Sequence, residues 1–364
     1  MDLVSLPAPL SVLPTPALLV DRARLAANIS AMAQQAASAG VALRPHFKTS
    51  KCQTVMRAQL AAGAIGGTAA TPAEVTALQD AGVSDVLWAH QPVGPAKVAF
   101  AVRAAGRGGL TIAVDSVDVA LPLASAATAA GLRLPYLIEV DTGLGRSGVA
   151  PAEVVALAAA LARLDGLDLR GVFTHEGHVG WYPGARSTVE EKGREAGSAI
   201  VAAASALRSA GFRCDVVSVG STPGATSTPF VRGVTESRAG TYVFYDANQV
   251  ALGSATLSDC ALSVLARVVT ARADGTAIID AGTKALSSNL SVADNGFGVV
   301  DGATFAIANE EHGFLSGPGA ARLRVGDLVR IVPNHACTTV NMWSGMYVVD
   351  GDVAVDWWET VARY

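Results

Sequence analysis

The sequence is poor in cysteine, poor in aromatic residues and free of long uncharged apolar runs. Only four of its 364 residues are cysteine, at positions 52, 214, 260 and 337, which excludes a disulfide-stapled fold and suits a reducing compartment. No run of about 18 uncharged apolar residues has the flanks of a membrane span, and no basic segment opens a secretory signal. We therefore expect a cytoplasmic protein that does not enter a membrane.

The sequence also lacks a strong excess of positive or negative charge. Lys and Arg number 27 against 31 Asp and Glu, so the formal net charge is −4, and no basic block interrupts the chain. This balance argues against nucleic acid as a partner. The 51% of hydrophobic residues are ample for a large core, and the length predicts about two domains.

The first two thirds of the chain alternate between short apolar runs and Ala-rich segments of helical period. Roughly eight such β/α units predict a (β/α)8 barrel of the TIM type, although the period alone also allows a doubly wound open sheet. The predicted strands are 17–20, 41–46, 64–68, 85–89, 110–114, 135–140, 169–174, 216–220 and 242–245.

After about residue 250 the pattern changes to strands separated by Gly, Asp and Asn turns, which predicts a C-terminal all-β domain. We place the barrel at residues 14–246, and we assign residues 1–13 and 247–364 to the β domain. No Pro/Ser linker separates the two parts, so we expect them to pack tightly against each other.

A lysine stands where the second predicted strand ends. Lys48 lies in the segment 44–49, and barrel active sites form at the C-terminal ends of the strands. A buried lysine near other cations can lose its proton close to neutral pH and form a Schiff base. The alternative is an ordinary surface lysine in a β/α loop.

A stretch of small residues follows a late strand. Gly220, Ser221 and Thr222 offer backbone N–H groups and hydroxyls that suit a phosphate. Gly240 and Tyr242 come shortly afterwards and could complete the same cradle. The alternatives are a plain Gly-rich turn at 220–224 and the start of another strand at 240–242.

Residues 143–148 match the G-x-G-x-x-G pattern, but in a middle unit of the chain and with Arg146 inside the motif. The dinucleotide fingerprint normally opens the first βαβ unit, so we do not read a nicotinamide site here. Asp141 and Arg146 are better interpreted as a polar pair that faces a ligand.

Two further sets of side chains carry possible chemistry. His175 and His178 end another strand, where each could act as acid, base or ring partner, or be a hydrogen-bonded structural histidine. His335 and Cys337 lie in a strand-like stretch, where residues i and i+2 share a face and suit Zn²⁺. Two protein ligands leave coordination positions open, as in catalytic metal sites, whereas the alternative is a buried cysteine beside a satisfied histidine.

Taken together, the segments 15–21, 44–49, 141–146, 220–223 and 335–337 resemble the D-serine dehydratase / D-threonine aldolase family. This family contains fold-type III pyridoxal phosphate (PLP) enzymes related to alanine racemase. The resemblance spans residues 14 to 342, and its most specific parts are the lysine segment and the His-x-Cys. It implies a PLP-binding barrel followed by a β domain, in a homodimer whose active site lies at the interface.

The resemblance also implies roles for individual residues. Lys48 would hold PLP covalently, and His178 would lie beside the ring or the substrate and take part in catalysis. His335 and Cys337 would bind Zn²⁺, with Mn²⁺ or Mg²⁺ as alternatives, next to the substrate hydroxyl. The residues that would bind the cofactor are Lys48, Arg146, His175, Gly220, Ser221, Thr222, Gly240 and Tyr242.

Family members with His-x-Cys tend to be dehydratases, so the resemblance favours β-elimination from a D-3-hydroxy amino acid to a 2-keto acid and ammonia. Retro-aldol cleavage to glycine and an aldehyde is the main alternative. The sequence departs from many relatives at Ser50, at Trp343-Ser344 and after His178, around the substrate's β-carbon, which leaves the substrate itself open. A racemase, with Tyr347 as the second acid/base, and a non-enzymatic PLP carrier are further alternatives.

Overall fold

The computed structural model describes residues 4–289, 291–294 and 296–363. In chain order its strands are β1 (Ala8–Pro9), β2 (Ala17–Asp21), β3 (Ala42–Leu43), β4 (Gly67–Ala69), β5 (Val86–Trp88), β6 (Leu110–Val114), β7 (Leu134–Glu139), β8 (Leu167–Phe173), β9 (Val216–Val219), β10 (Glu236–Ser237), β11 (Leu262–Ala271), β12 (Ala277–Ile279), β13 (Gly298–Val299), β14 (Thr304–Ala308), β15 (Gly313–Ser316), β16 (Leu328–Pro333), β17 (Gly345–Asp350) and β18 (Val353–Glu359). Its α-helices are α1 (Arg22–Ser38), α2 (Gln53–Ala61), α3 (Pro72–Asp80), α4 (Pro95–Gly106), α5 (Val117–Ala129), α6 (Val154–Leu161), α7 (Arg186–Ser209), α8 (Ala247–Ala251), α9 (Thr283–Leu286) and α10 (Ala336–Asn341).

Eight of these strands form a parallel barrel in the order β3-β10-β9-β8-β7-β6-β5-β4. The two end strands meet just beyond β3, where the Thr68 N–H donates to the Pro45 carbonyl and the Phe47 N–H donates to the Thr68 carbonyl, both at 2.8 Å. These bonds close the sheet on itself. The prediction of a (β/α)8 barrel is therefore confirmed.

The barrel helices form where the sequence has caps and helical spacing of small apolar residues. Thr71 caps α3 by accepting from the Glu74 N–H, with proline at the first helical position. In α5 the buried residues Ala120, Leu123, Ala124 and Ala127 repeat at i, i+3, i+4 and i+7, which places them on one face against the strands. Within the described chain, no helix combines the length and hydropathy needed to cross a bilayer.

A second sheet follows the order β1-β18-β17-β2-β11-β12-β15-β14, with β16 paired to β11 and β13 paired to β16. Its pairs are antiparallel except β2 with β17. The predicted C-terminal sheet is therefore present. One buried apolar cluster joins Leu25 and Ile29 of α1 to Val264 and Val348 of this sheet, so the two parts share a core, as expected.

The assignment of residues 17–20 to the barrel was wrong. This segment forms β2, which pairs with β11 and β17 in the second sheet. Its residues Ala17, Leu18, Leu19 and Val20 are all buried. A continuous apolar run of this kind fits the centre of either sheet, because both faces are covered in each case.

Two further strand predictions were wrong. Residues 242–245 do not form a strand, because the chain makes a 3₁₀ turn over Thr241–Val243, and β10 is the last barrel strand. His335 and Cys337 do not lie in a strand either, because His335 is the N-cap of α10. Tyr242, Val243 and Phe244 of the first segment are buried by tertiary packing, which overrides their local preference for a strand.

Candidate active site

A cavity of about 570 Å³ opens at the C-terminal ends of the barrel strands. Its wall contains residues that directly follow β3, β4, β5, β8, β9 and β10, together with residues from α8 and α10. Parallel barrels place their chemistry at this end because all the loops after the strands converge there. The predicted site residues that line it are Lys48, Arg146, His175, Gly220, Ser221, Thr222, Gly240, His335 and Cys337.

Lys48 projects from the loop that follows β3 and is half-buried. Its backbone N–H donates to Nδ1 of His46 at 3.4 Å. Burial, together with the nearby Lys48, lowers the pKa of His46 well below its ordinary value and that of His175 to about 3. Both imidazoles are therefore uncharged at neutral pH.

The segment after β9 forms a cradle of backbone N–H groups. The N–H groups of Ser221 and Thr222 donate to no acceptor among the described residues, although both residues are buried. Glu176 anchors the same segment, accepting from the Gly220 N–H and from the Ser221 hydroxyl, each at 3.0 Å. Two buried and unused N–H donors fit a phosphate group.

Gly240 stands on the other side of this cradle. A Cβ at this position would lie 2.8 Å from Oγ1 of Thr49 and 2.9 Å from Cβ of His46, which is too close for any side chain. Only glycine therefore allows the last barrel loop to approach the lysine loop so closely.

Tyr242 reaches the cradle through its backbone. Its N–H donates to Oγ1 of Thr222 at 3.1 Å, whereas its phenol lies in the core and accepts from Nε2 of Gln59 at 2.8 Å. Burial raises the pKa of this phenol. Tyr242 does not line the cavity.

The two histidines after β8 have different environments. Nδ1 of His175 lies 2.6 Å from the Gly220 carbonyl, so this nitrogen carries the proton and Nε2 is left as an acceptor on the cavity side. His178 lies behind the cavity wall, with its ring 6.0 Å from that of Trp181 and with Nδ1 buried and unpartnered. The neighbouring Gly177 lines the cavity.

Arg146 stands at the rim, with 55% of its side chain exposed and a terminal nitrogen 3.8 Å from Oε1 of Glu139. Asp141 does not pair with Arg146 as we interpreted it. Its carboxylate instead accepts from the N–H groups of Gly143 and Gly145, at 2.9 and 3.1 Å. The G-x-G-x-x-G segment is thus an Asp-capped loop in which the N–H groups of all three glycines are already occupied.

His335 and Cys337 are brought together at the start of α10, close enough for each to shift the pKa of the other. Burial by itself would raise the pKa of the Cys337 thiol, but His335 outweighs this effect and lowers it to about 7. Burial would likewise lower the pKa of His335, but Cys337 and Asp246 raise it to about 9. The metal-free pair is therefore a thiolate beside an imidazolium near pH 8.

Sequence reasoning missed several residues of the site. Arg238 lines the cavity, is fully enclosed, and lies 5.1 Å above the Phe173 ring while it donates to the Thr174 carbonyl and the Ser218 hydroxyl. Gln249 is 8% exposed and lines the same cavity, with an amide oxygen that has no partner. The only signal for Arg238 was a charged residue directly after a buried strand, and Gln249 gave none.

The donors present fit both a phosphorylated cofactor and a metal. The free N–H groups of Ser221 and Thr222 suit a phosphate, and Lys48 faces the same cavity. A nitrogen and a sulfur donor suit Zn²⁺. In the described residues no group of three or more His, Cys, Asp and Glu side chains could hold a metal, so the pair would leave coordination positions open.

Comparisons with known proteins support this picture across the whole chain. Residues 20–248 match the family model for the alanine racemase N-terminal domain, and residues 261–349 match the putative serine dehydratase domain. The chain is 40% identical to the D-threo-3-hydroxyaspartate dehydratase of Delftia sp. (strain HT23), with 96% of this chain and 98% of that protein covered. It is 34% identical to the D-threonine aldolase of Arthrobacter sp, with 98% and 94% covered.

The fold agrees with a solved structure of a D-threo-3-hydroxyaspartate dehydratase, a cysteine-to-alanine mutant in the metal-free form. The TM-score is 0.93 at 36% identity, with 98% of this chain and 100% of that chain covered. The chain therefore belongs to the D-serine dehydratase / D-threonine aldolase family, with an alanine racemase-type N-terminal barrel.

Proposed function

We propose that this protein is a PLP- and Zn²⁺-dependent lyase that removes water from D-3-hydroxy amino acids. The observation that carries the proposal is that Lys48 and the His335–Cys337 pair line one cavity, beside a cradle of unused N–H donors. The full-length similarity to a D-threo-3-hydroxyaspartate dehydratase supports dehydration.

The chain's own residues would hold the cofactor as follows. Lys48 would bind PLP covalently, and the N–H groups of Ser221 and Thr222 would receive its phosphate. Gly220 and Gly240 would keep side chains out of the cradle. When bound, PLP supplies an electron sink for negative charge at the substrate's Cα.

Lys48 would then act as the base at Cα. When it is not bound to the cofactor, the Lys48 amine would be placed to take the Cα proton. His175 and His46 are uncharged at neutral pH, so neither adds positive charge beside Lys48.

His335 and Cys337 would hold the divalent ion at the 3-hydroxyl, where a Lewis acid makes hydroxide a better leaving group. Among the described residues the pair has no third side-chain ligand beside it, so these two residues would hold the ion without enclosing it. Loss of water followed by hydrolysis gives a 2-keto acid and ammonia.

Retro-aldol cleavage is the second candidate, favoured by the 34% identity to a D-threonine aldolase and by His178. The unpartnered Nδ1 of His178 could take the hydroxyl proton if the adjoining Gly177 segment moves it toward the cavity. A racemase is disfavoured, because Tyr347 is buried in a cluster with Leu10, Leu13 and Leu19.

Product analysis tests the proposal. The protein loaded with PLP and Zn²⁺ is incubated with D-serine, D-threo-3-hydroxyaspartate and D-threonine, with the L-enantiomers as controls. We expect a 2-keto acid and ammonia from a D-substrate. Glycine with an aldehyde would instead support the aldolase, and turnover of no member of the panel would overturn the proposal.

The cofactor assignment has its own test. Lys48→Ala should abolish the visible absorption of bound PLP and reduce turnover by at least about a thousandfold, because it removes both the covalent link and the base. Lys97→Ala, on an exposed helix, is the matched control and should retain both. A wild-type spectrum in Lys48→Ala would contradict the assignment.

We also propose that the active enzyme is a homodimer. A second cavity of about 520 Å³, lined by Lys48, Cys337, Asn341 and Met342 among others, adjoins the first at the two reactive residues. A partner subunit would cover it and exclude water from the lysine. Light scattering after size-exclusion chromatography should give twice the 36.9 kDa chain mass, and a monomer with full activity would contradict this.

A further inference from the structure

Asp246 is a buried carboxylate that sequence reasoning did not identify. It lies between the 3₁₀ turn after β10 and the start of α8, has no exposed surface, and lines the active-site cavity. A carboxylate is costly to bury unless both oxygens are used. Its surroundings therefore need an explanation.

Each oxygen of Asp246 accepts a backbone N–H from a different helix. Oδ1 accepts from Gln249 at 2.9 Å and caps α8, and Oδ2 accepts from Ala336 at 2.9 Å. The Ala336 N–H belongs to the peptide that joins His335 to Ala336. One oxygen of Asp246 is therefore anchored directly beside the backbone of a metal-ligand candidate.

The second of these bonds satisfies a free N–H group at the start of α10. His335 is the N-cap of α10, yet its side chain makes no capping hydrogen bond. N-cap side chains normally satisfy free N–H groups of the first turn. Asp246 instead satisfies the N–H of Ala336, the first residue of the helix, and so fixes the peptide that follows His335.

A second hydrogen bond joins α8 to the segment that leads into α10. The N–H of Asn248, the second residue of α8, donates to the Asn334 carbonyl at 3.2 Å. On the opposite side, the Thr339 hydroxyl donates to the His335 and Leu286 carbonyls at 3.0 and 2.8 Å. The turn that carries the two donors is thus held from the barrel side by Asp246 and Asn248.

We propose that Asp246 is the positioning residue of the metal pair, because its carboxylate ties the His335–Cys337 turn to the end of the barrel that carries the cofactor cradle. The inference rests on the proposed function, since it requires His335 and Cys337 to bind the metal. Asp246 acts through the backbone and does not join the donors, in line with the absence of a three-residue metal group among the described residues. Groups that orient metal ligands typically change metal affinity by 10–100-fold when they are removed.

The test is a Zn²⁺ titration of the PLP-loaded protein against a chromophoric chelator. Asp246→Asn keeps the size of the side chain but leaves one acceptor for two N–H groups, so we expect the dissociation constant for Zn²⁺ to rise at least tenfold. The visible absorption of bound PLP should keep its wild-type intensity, because the lysine and the cradle are not altered.

Asp21→Asn is the matched control. Asp21 caps α1 by accepting from the Arg24 N–H and lies far along the chain from the metal pair. The asparagine oxygen can still accept from Arg24, so this variant keeps the helix cap and tests the same substitution at a distant site, where it should not change Zn²⁺ affinity. Asp246→Ser, which can reach only one of the two N–H groups, replaces Asp246→Asn if the latter does not fold.

The outcomes separate the two hypotheses. A dissociation constant for Asp246→Asn or Asp246→Ser within twofold of wild type overturns the positioning role and leaves the lyase assignment intact. Failure of the wild type to bind Zn²⁺ more tightly than His335→Ala overturns both. A tenfold or larger loss in the Asp246 variants, with none in Asp21→Asn, supports the positioning role.

Discussion

Oγ1 of Thr49 lies 3.2 Å from Sγ of Cys337, although the two residues are 288 positions apart in the chain. Thr49 directly follows Lys48, and Cys337 is the sulfur donor of the candidate metal pair. A threonine hydroxyl can donate to a thiolate, so this contact links the lysine loop to the metal pair. The spacing between Lys48 and the His335–Cys337 pair thus depends on a hydrogen bond between two distant segments.

Thr49→Val should destabilise the thiolate form of Cys337 relative to the thiol. The variant keeps the shape of the side chain but removes the donor, so we expect the pKa of the Cys337 thiol to rise by about one to two units, given about 1.5–3 kcal/mol for a hydrogen bond to a charged group. The measurement is the pH dependence of iodoacetamide alkylation in metal-free protein. Thr49→Ser retains the hydroxyl and should behave as wild type, and an unchanged alkylation midpoint in Thr49→Val would exclude the interaction.

Apparent Zn²⁺ affinity should rise with pH. In the metal-free protein the pKa of Cys337 is lowered to about 7 and that of His335 is raised to about 9. Metal binding requires a thiolate and a neutral imidazole, so it releases two protons below pH 7 and one between pH 7 and 9. The slope of log affinity against pH should therefore fall from 2 towards 1 near pH 7, which isothermal titration in buffers of different ionisation enthalpy can measure.

That prediction depends on Cys337 being the cysteine that titrates. The other three cysteines are buried, and burial raises the pKa of each thiol. Below pH 8 the alkylation reagent should therefore modify Cys337 first, and Cys337→Ser should remove the fast phase. A pH-independent affinity between pH 6 and 8 would show that the pair does not bind the metal.

Arg44→Met should strongly destabilise the barrel. Arg44 pairs with Glu236 at 2.8 Å, and their side chains are only 9% and 4% exposed. Removing one member leaves a buried carboxylate without its partner, which typically costs about 3–5 kcal/mol. The measurement is urea unfolding followed by circular dichroism.

The matched control for this pair is Arg107→Met. Arg107 pairs with Asp80 at 2.6 Å, but both side chains are about half exposed, at 49% and 53%. Solvent screens such pairs, so the change should be about 0–1 kcal/mol. Equal losses in the two variants would mean that the depth of burial does not determine the strength of the Arg44 pair.

Gln249→Ala should affect ligand binding more than stability. The buried amide oxygen of Gln249 has no partner among the residues that the structure describes, so its removal takes none of their hydrogen bonds away. Because the residue lines the cavity, we expect the substrate KM or the PLP dissociation constant to rise at least about fivefold, the equivalent of about 1 kcal/mol for one hydrogen bond.

Gln59→Ala is the control for that prediction. Gln59 is equally buried but donates to the Tyr242 phenol at 2.8 Å and does not line the cavity. It should lower the melting temperature and leave KM close to wild type. The reverse pattern, with a stability loss in Gln249→Ala and unchanged ligand affinity, would show that the orphaned amide serves packing.

Local patterns in the sequence predicted much of the barrel. Thr71, Pro72 and Glu74 marked the start of α3 because capping depends on neighbours in the chain, and α5 followed from apolar spacing. Much of the candidate site could also be predicted from the sequence. Lys48 and the 220–222 cradle follow strands, and strand ends converge in a parallel barrel. The family resemblance supplied the chemistry that position alone did not.

Other features could not be read from local pattern. Residues 17–20 are apolar on both faces and would suit either sheet, so only their partners β11 and β17 decide where they lie. The contributions of Arg238 and Asp246 depend on burial and on hydrogen bonds to distant segments. A charged residue in a sequence gives no sign of whether such partners exist.

The amino-acid order by itself determined the alternation of strands and helices, the positions of the loops that carry Lys48 and the phosphate cradle, and the presence of an imidazole and a thiol two residues apart. Only the tertiary structure decided that the His335–Cys337 turn is helical and that it meets the lysine loop through Thr49 and the barrel end through Asp246. The reason is physical: helix and turn preferences act over a few neighbouring residues, whereas these contacts join segments that are brought together only when both sheets bury a common core.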